Sequence, residues 1–272
     1  CSCEGAGCAA ACVDDADCAD PSRPVCIAGG CEACEDASLC DAGAPVCSAD
    51  HQCVGCRADE DCAGFSDAPH CDGNGACVAC LSDDACPSDA PVCDGNACRG
   101  CVRDDECGSG ACDLAQGTCF APSELLHVTA GGSGSACSSS QPCALAQAIN
   151  LLSDDRSVLM LAAGAYSASL TVGAGERVHI KGPAAAMWSP VANATRTIWV
   201  DRGQLSVSGL TVNAPTNIGT VALDCSGGDL IVVGAQPASV RGTSCDVVLD
   251  GVSTGVVGIS GGTLTAQRMR AN

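Results

Sequence analysis

The chain has 272 residues, 27 of them cysteine, and a formal charge of −20. That charge is lopsided: residues 1–122 carry 23 acids against four arginines, whereas residues 123–272 carry nine acids against eight bases. An anionic first half repels phosphate backbones, which argues against nucleic acid as a partner, and no apolar run approaches the roughly 20 residues that a membrane-spanning helix needs.

The chain opens on Cys1, and Cys1, Cys3 and Cys8 precede a regular pattern. Setting Cys1 aside leaves 26 cysteines, an even number that can pair completely. A leading cysteine resembles the mature form of bacterial lipoproteins, in which that residue is acylated after signal cleavage. The resemblance implies lipidation at Cys1 and attachment to a membrane through that anchor alone.

Twenty cysteines then repeat one four-cysteine pattern five times: Cys12-Cys18-Cys26-Cys31, Cys34-Cys40-Cys47-Cys53, Cys56-Cys62-Cys71-Cys77, Cys80-Cys86-Cys93-Cys98 and Cys101-Cys107-Cys112-Cys119. Five residues fill the first gap of every unit, and two separate each unit from the next. A gap held fixed five times marks one module copied in tandem. Below about 40 residues a module needs disulfides, metal or association to stay folded, and Phe65 and Phe120 are the only aromatics of this half. Two disulfides per unit, at about 2–4 kcal/mol each, replace the missing core. They require an oxidising compartment, so the chain is expected to be exported, either extracellular or on an outer-membrane surface. Which of the three pairings each unit adopts stays open. Zinc is the competing reading, since Cys31-x2-Cys34 and Cys53-x2-Cys56 have four-cysteine zinc spacing. However, Cys40 and Cys47 fall inside that interval and the pattern overlaps itself at Cys77-x2-Cys80, whereas structural zinc sites are closed sets.

Acids cluster before the second cysteine of several units. Asp15, Asp59, Asp61, Asp104 and Asp105 are the candidate ligands for calcium, the one cofactor the sequence suggests, because that ion takes 6–8 oxygens. The competing role is turn capping, in which a short carboxylate accepts backbone N–H groups. Pro24, Pro45, Pro69 and Pro91 sit two residues before the third cysteine of their units, stiffening the chain there. These units resemble acidic cysteine-rich repeats of surface proteins from high-GC bacteria such as myxobacteria, a likeness that covers residues 12–119 and rests on spacing.

From residue 123 the composition turns to Gly, Ser, Thr, Val and Leu. Cys137 and Cys143 close a glycine-rich loop, and Ala144–Leu152 has helical spacing. Short apolar strands follow at Val158–Leu161, Ser169–Val172, Arg177–Lys181, Thr197–Val200, Gln204–Val207, Leu210–Val212, Thr220–Leu223, Leu230–Val233, Val247–Leu249, Val256–Ile259 and Thr263–Thr265. Strands this short suit a solenoid, and the starts at Leu205, Leu230, Val247 and Leu264 recur, unevenly, about every 20 residues. Pro142–Ile149, then Val158–Tyr166, resembles the opening of right-handed parallel β-helix proteins of the pectin-lyase-like superfamily, with a capping helix and a strand that ends in a Gly-x-Tyr turn, here Gly164-Ala165-Tyr166. The expected architecture is therefore small disulfide-rich tandem repeats over 1–122, followed over 123–272 by an all-β right-handed parallel β-helix with an N-terminal capping helix. The chain ends on a strand-like segment without a polar cap, so either the solenoid is expected to continue, the favoured reading, or this end is expected to associate with another chain. Neighbouring coils stack about 4.8 Å apart, so Cys225 and Cys245, 20 residues apart, are expected to bond across adjacent coils.

The same superfamily resemblance implies lyases and glycoside hydrolases. Hydrolysis needs two acids about 5–9.5 Å apart; Glu176, Asp201, Asp224, Asp229, Asp246 and Asp250 are available, with Asp224 and Asp246 the pair expected to stack. His179 stands alone, Arg202 and Arg241 lack an acidic cluster, and Asn193-Ala194-Thr195 matches a glycosylation acceptor. Fold alone does not confer chemistry. The expected function is a noncatalytic, exported surface protein whose cysteine-rich stalk presents the β-helix to an extracellular glycan or surface protein. A polysaccharide-degrading enzyme and a calcium-dependent adhesion module are the alternatives.

Overall fold

The computed structural model describes residues 12–271, save 19, 21, 217 and 218. Cys1, Cys3 and Cys8 lie outside the described residues. The chain forms two compact bodies, one running to Cys107 and including Ala115–Cys119, the other made of Gly108–Leu114 and Phe120–Asn272. The division is thus less simple than a break at residue 122. Ala111, Phe120, Leu125 and Val158 share one apolar cluster, and Asp113 lies 3.8 Å from Arg177, which ties Gly108–Leu114 to the second body.

In the first body, each of the first four units is a one-turn helix followed by a two-stranded antiparallel hairpin. The helices are Asp15–Asp17, Ala37–Leu39, Asp59–Cys62 and Asp83–Ala85. The hairpins set the third and fourth cysteines directly opposite each other, as Cys26 and Cys31, Cys47 and Cys53, Cys71 and Cys77, and Cys93 and Cys98. Opposed residues project from the same face of a hairpin, so the two sulfurs emerge side by side, yet they do not bond each other. Instead the first cysteine takes the third and the second takes the fourth: Cys12–Cys26 and Cys18–Cys31, Cys34–Cys47 and Cys40–Cys53, Cys56–Cys71 and Cys62–Cys77, Cys80–Cys93 and Cys86–Cys98. In the fifth unit Cys107 bonds Cys119, and Cys101 and Cys112 each take part in a disulfide. The zinc quartet read from the sequence is dispersed, because Cys31, Cys34, Cys53 and Cys56 each bond a different partner. Cys34, Cys62 and Cys80 are fully buried, so sulfur occupies the interior that aliphatic side chains fill elsewhere.

The second body is mostly strand, with one short helix, α1 (Leu145–Asn150). Its strands are β1 (Leu125–Val128), β2 (Val158–Leu161), β3 (Gly164–Ser167), β4 (Leu170–Val172), β5 (Arg177–Lys181), β6 (Ala186–Ser189), β7 (Arg196–Asp201), β8 (Gln204–Ser208), β9 (Thr211–Val212), β10 (Val221–Val233), β11 (Gln236–Pro237), β12 (Ser239–Asp250), β13 (Ser253–Thr254), β14 (Val256–Ser260), β15 (Leu264–Gln267) and β16 (Arg270–Ala271). All pair in parallel. The first ladder is β1-β2-β5-β8, continued by the second halves of β10 and β12 and by β15. The second is β4-β7, continued by the first halves of β10 and β12 and by β14. The third contains β3-β6-β9-β11, with β13 pairing β16. From β2 onward the chain visits first, third and second ladders in that order on every pass.

Register follows the side chains. Leu126, Leu159, Ile180, Val207, Val232 and Leu249 are successive partners in the first ladder, and each is fully buried. Tyr166, Trp188, Val212 and Pro237 form the matching column in the third ladder, and Leu170, Ile198, Leu223 and Val240 in the second. All three columns meet in one apolar core together with Leu145 and Ala148 of α1. Two turns per pass take up left-handed residues at matching places, Arg202, Gly227, Ser244 and Gly261 at one and Gly209, Gly234, Gly251 and Arg268 at the other. Their spacing, one long interval followed by two equal shorter ones, repeats that of Leu205, Leu230, Val247 and Leu264. At Gly228, φ is +96° and an added Cβ would lie 2.2 Å from the carbonyl oxygen of Gly203, so only glycine fits between stacked passes there.

Several expectations change in detail. Gly164-Ala165-Tyr166 belongs to a strand and not to a turn: Tyr166 faces the core and its hydroxyl donates to the Ala162 carbonyl at 2.7 Å. Thr220–Leu223 and Leu230–Val233 are two ends of the single strand β10. Cys137 bonds Cys143, and Cys225 bonds Cys245 with Cα atoms 6.1 Å apart. The latter bridge joins adjacent passes diagonally, since Cys225 faces Gly242 and Cys245 faces Gly228.

The inward columns carry the packing energy. Ile180→Ala is expected to cost about 2–5 kcal/mol, whereas Met187→Ala, on the outward side of β6 and 46% exposed, should change stability by about 0.5 kcal/mol or less. Denaturant titrations followed by tryptophan fluorescence check this; equal effects would contradict the assignment of faces.

Candidate functional site

The acids of the repeats hold backbone. The residue three after the first cysteine reaches across to the hairpin: Asp15 accepts from the Cys26 N–H, Asp59 from Cys71 and Asp83 from Cys93, each at 2.8 Å. The residue just before the second cysteine reaches back to the one just after the first. Asp17 accepts from Val13 at 2.7 Å, Asp61 from Arg57 at 2.8 Å and Glu106 from Val102 at 2.8 Å. These bonds position the hairpin over the helical turn in the very place where the disulfides cross. The second unit has Ala37 at the first of these positions, and there Asp36 instead accepts from the Ser38 N–H at 2.8 Å.

The calcium candidates are therefore spread over three units and occupied differently. Asp15, Asp59 and Asp61 accept the backbone bonds above, Asp104 opens the helical turn Asp104–Glu106, and Asp105 lies 3.3 Å from Arg103. Among the described residues, every set of three or more metal-type donor atoms lying within 4.8 Å of one another is a set of cysteine sulfurs. These bonds also shift titration. The Cys71 N–H, followed by the His70 ring, holds Asp59 below the usual carboxylate range, and the Val13 N–H does the same for Asp17.

Glu106 is the strongest case. It receives Arg99 Nη2 at 3.0 Å and Nη1 at 3.3 Å, and Arg99 also donates through Nε to Asp94 at 2.8 Å. Arg99 thereby clamps the hairpin of the fourth unit to the helical turn of the fifth. Arg99 first, then the Val102 N–H, pull Glu106 down to about 2.

On the second body, the acids considered for hydrolysis are all engaged. Asp224, 5% exposed, receives Arg241 through Nε at 2.9 Å and Nη2 at 2.6 Å, with Arg196 at 3.4 Å. Asp229 accepts from Gln204 at 2.8 Å and Asp246 from the Thr263 hydroxyl at 2.7 Å. Asp250 pairs with Arg268, Asp201 lies 3.4 Å from Arg202, and Glu176 accepts from the Gly173 N–H at 2.6 Å. The expected stacking of Asp224 on Asp246 does not occur. Asp224 faces Arg241 and Asp246 faces Asp229, because one pass here leads from Asp224 to Arg241 and Asp246 lies further along the same strand. His179 is buried beside Phe120, ring centres 4.5 Å apart. Asn193 of the Asn-Ala-Thr triplet is exposed on the turn between β6 and β7.

Sequence reading missed Arg196 and Trp199. Ile198 and Val200 point into the core, so alternation along β7 puts Trp199 on the outer side, beside Asp224 in the ladder. Arg196 lies over its ring, 4.4 Å from the centroid, a cation–π contact. The result is a small outward cluster of Trp199, Asp224 and two guanidiniums.

The sign of the acid response follows from Glu106. Its folded value is depressed, so its contribution is fully present above the ordinary 4.5 and is lost as pH falls through about 2. Carboxyl titration by NMR is expected to give a midpoint near that lower value, and Arg99→Gln should move it upward. A midpoint above 4 in the unaltered chain would contradict the clamp.

Residues 40–125 match the model of a family described as "Family of unknown function (DUF8331)". No curated protein and no solved structure matches the chain.

Proposed function

We propose that this chain is a noncatalytic surface protein in which the cysteine-rich units serve as a rigid spacer or interaction stalk and the second body is a right-handed parallel β-helix of pectin-lyase-like type. On this reading the outward side chains of the β-helix contact an extracellular glycan or another surface protein. The number of disulfides suggests an extracellular setting, and among the described residues no helix is long and apolar enough to cross a membrane. The fixed order in which the chain visits three parallel ladders, with left-handed turns at matching positions, supports the β-helix.

One observation favours display over catalysis. The six carboxylates suited to acid–base work each hold a neighbouring side chain or backbone group. A glycosidase needs one acid free to give a proton and another free to attack or to activate water. Here Asp224 is neutralised by two arginines, and Asp229 and Asp246 serve as hydrogen-bond acceptors between passes.

Incubation with a panel of neutral and acidic polysaccharides is expected to release neither unsaturated nor reducing sugars, and release of either would sink this reading. Addition of calcium should leave the melting temperature unchanged, whereas a shift of several degrees would restore the calcium-dependent adhesion module.

A further inference from the structure

We infer that each of the first four cysteine units is an internal relay for thiol–disulfide exchange: a small thiol opens the first-to-third bridge, and the first cysteine passes that opening to the second-to-fourth bridge. The inference is independent of the display role and rests on an asymmetry that recurs in all four units. The first cysteine brings its Sγ within 4.8 Å of both sulfurs of the neighbouring bridge, and the third lies outside that cluster. Cys12 stands beside Cys18–Cys31, Cys34 beside Cys40–Cys53, Cys56 beside Cys62–Cys77 and Cys80 beside Cys86–Cys98.

Exposure runs the other way. Cys12, Cys34, Cys56 and Cys80 are buried, whereas their partners Cys26, Cys47, Cys71 and Cys93 are half-buried. Exchange depends on access to the sulfur attacked, so an incoming thiolate meets the third cysteine and expels the first. The third unit shows this most sharply. Cys56, Cys62 and Cys77 share one apolar cluster and are 6%, 0% and 6% exposed, which leaves Cys71 as the point of entry. In three of the units the hairpin keeps a hold on its helical turn while the first bridge is open, because Asp15, Asp59 and Asp83 accept from the backbone N–H groups of Cys26, Cys71 and Cys93.

Each step breaks one S–S bond and forms another. The small thiol gives up its proton, and its thiolate bonds Cys71 Sγ while the Cys56–Cys71 bond breaks and leaves its electron pair on Cys56. The Cys56 thiolate attacks Cys62 or Cys77. A new bridge to Cys56 forms, and the other sulfur of the old bridge departs as a thiolate that takes up the proton. The net change in the unit is one mixed disulfide, one displaced bridge and one free thiol, with no further oxidant or reductant consumed. Attacker and target are tethered side by side, so the second step is unimolecular and outruns capture of Cys56 by a reagent in solution. A buried bridge is thus opened by a thiol that does not reach it.

The full chain would be treated at mildly alkaline pH with substoichiometric reduced glutathione, then acidified, denatured and blocked with N-ethylmaleimide before peptide mapping. In the third unit, glutathione is expected on Cys71, a new bridge from Cys56 to Cys62 or Cys77, and maleimide on whichever of Cys62 and Cys77 was displaced. Cys62→Ser/Cys77→Ser removes the target bridge, and maleimide on Cys56 should then rise about ten-fold. Four results would overturn the inference: glutathione absent from Cys71, maleimide on Cys56 with Cys62–Cys77 intact, new bridges that include Cys71 or join different units, or equal labelling of Cys56 in the two chains. The map of the unaltered chain decides the matter even where the double variant fails to fold.

Discussion

The first body depends on a pair of disulfides that cross behind a two-stranded hairpin. Each unit has about 20 residues and almost no aliphatic interior, so the loss of chain entropy on folding must be offset by covalent closure. Linking first to third and second to fourth closes two overlapping loops of 12–15 residues, each contributing on the order of 3 kcal/mol. The carboxylates then do what apolar contacts do in larger domains, fixing the hairpin against its helical turn. This assigns a structural cause to part of the acidity. Asp and Glu are short, strong acceptors for N–H groups that a coreless module cannot otherwise satisfy. Like-charge repulsion among the remainder opposes compaction, and the disulfides withstand it.

The second body solves the same problem by repetition. Parallel strands a pass apart place like on like: aliphatic on aliphatic inside, and polar on polar outside. The outward stack Arg177, Gln204, Asp229 and Asp246 runs through consecutive register positions, and hydrogen bonds link Arg177 to Gln204 and Gln204 to Asp229. Asp224 between Arg196 and Arg241 is the counterpart in the second ladder. The same side chains that decorate the surface therefore also hold successive passes together. An acid so engaged is poorly placed for proton transfer, which connects the packing to the functional reading.

The repeats were legible because cysteine spacing is rigid: five equal first gaps cannot arise without a common module. Pairing was not, because three connectivities satisfy the same spacing, and the choice among them depends on how the helical turn is held against the hairpin. In the second half, strands with a hydrophobic inner residue every second position, such as Val158–Leu161 and Arg177–Lys181, stood out with the bounds the structure gives. Strands such as Ala186–Ser189 and Gln236–Pro237 did not, since two to four residues with proline or alanine carry no period. The polar stretch Ser239–Asp246 was also hidden, because its backbone is held by the passes on either side and not by its own propensity. Among the site residues, the individual acids were visible, whereas their partners depended on pass length. A pass that brings Arg241, and not Asp246, level with Asp224 decides which side chain that acid meets.

The most direct measurement of the crossed pairing is a non-reducing peptide map of the chain isolated under oxidising conditions, with free thiols blocked before digestion. Cross-linked peptides containing Cys34–Cys47 and Cys40–Cys53 are expected, with the same first-to-third and second-to-fourth linkage in the units beside them and no blocked thiol in the repeats. Peptides linking Cys34 to Cys53 or Cys47 to Cys53, or alkylated cysteines throughout the units, would contradict it.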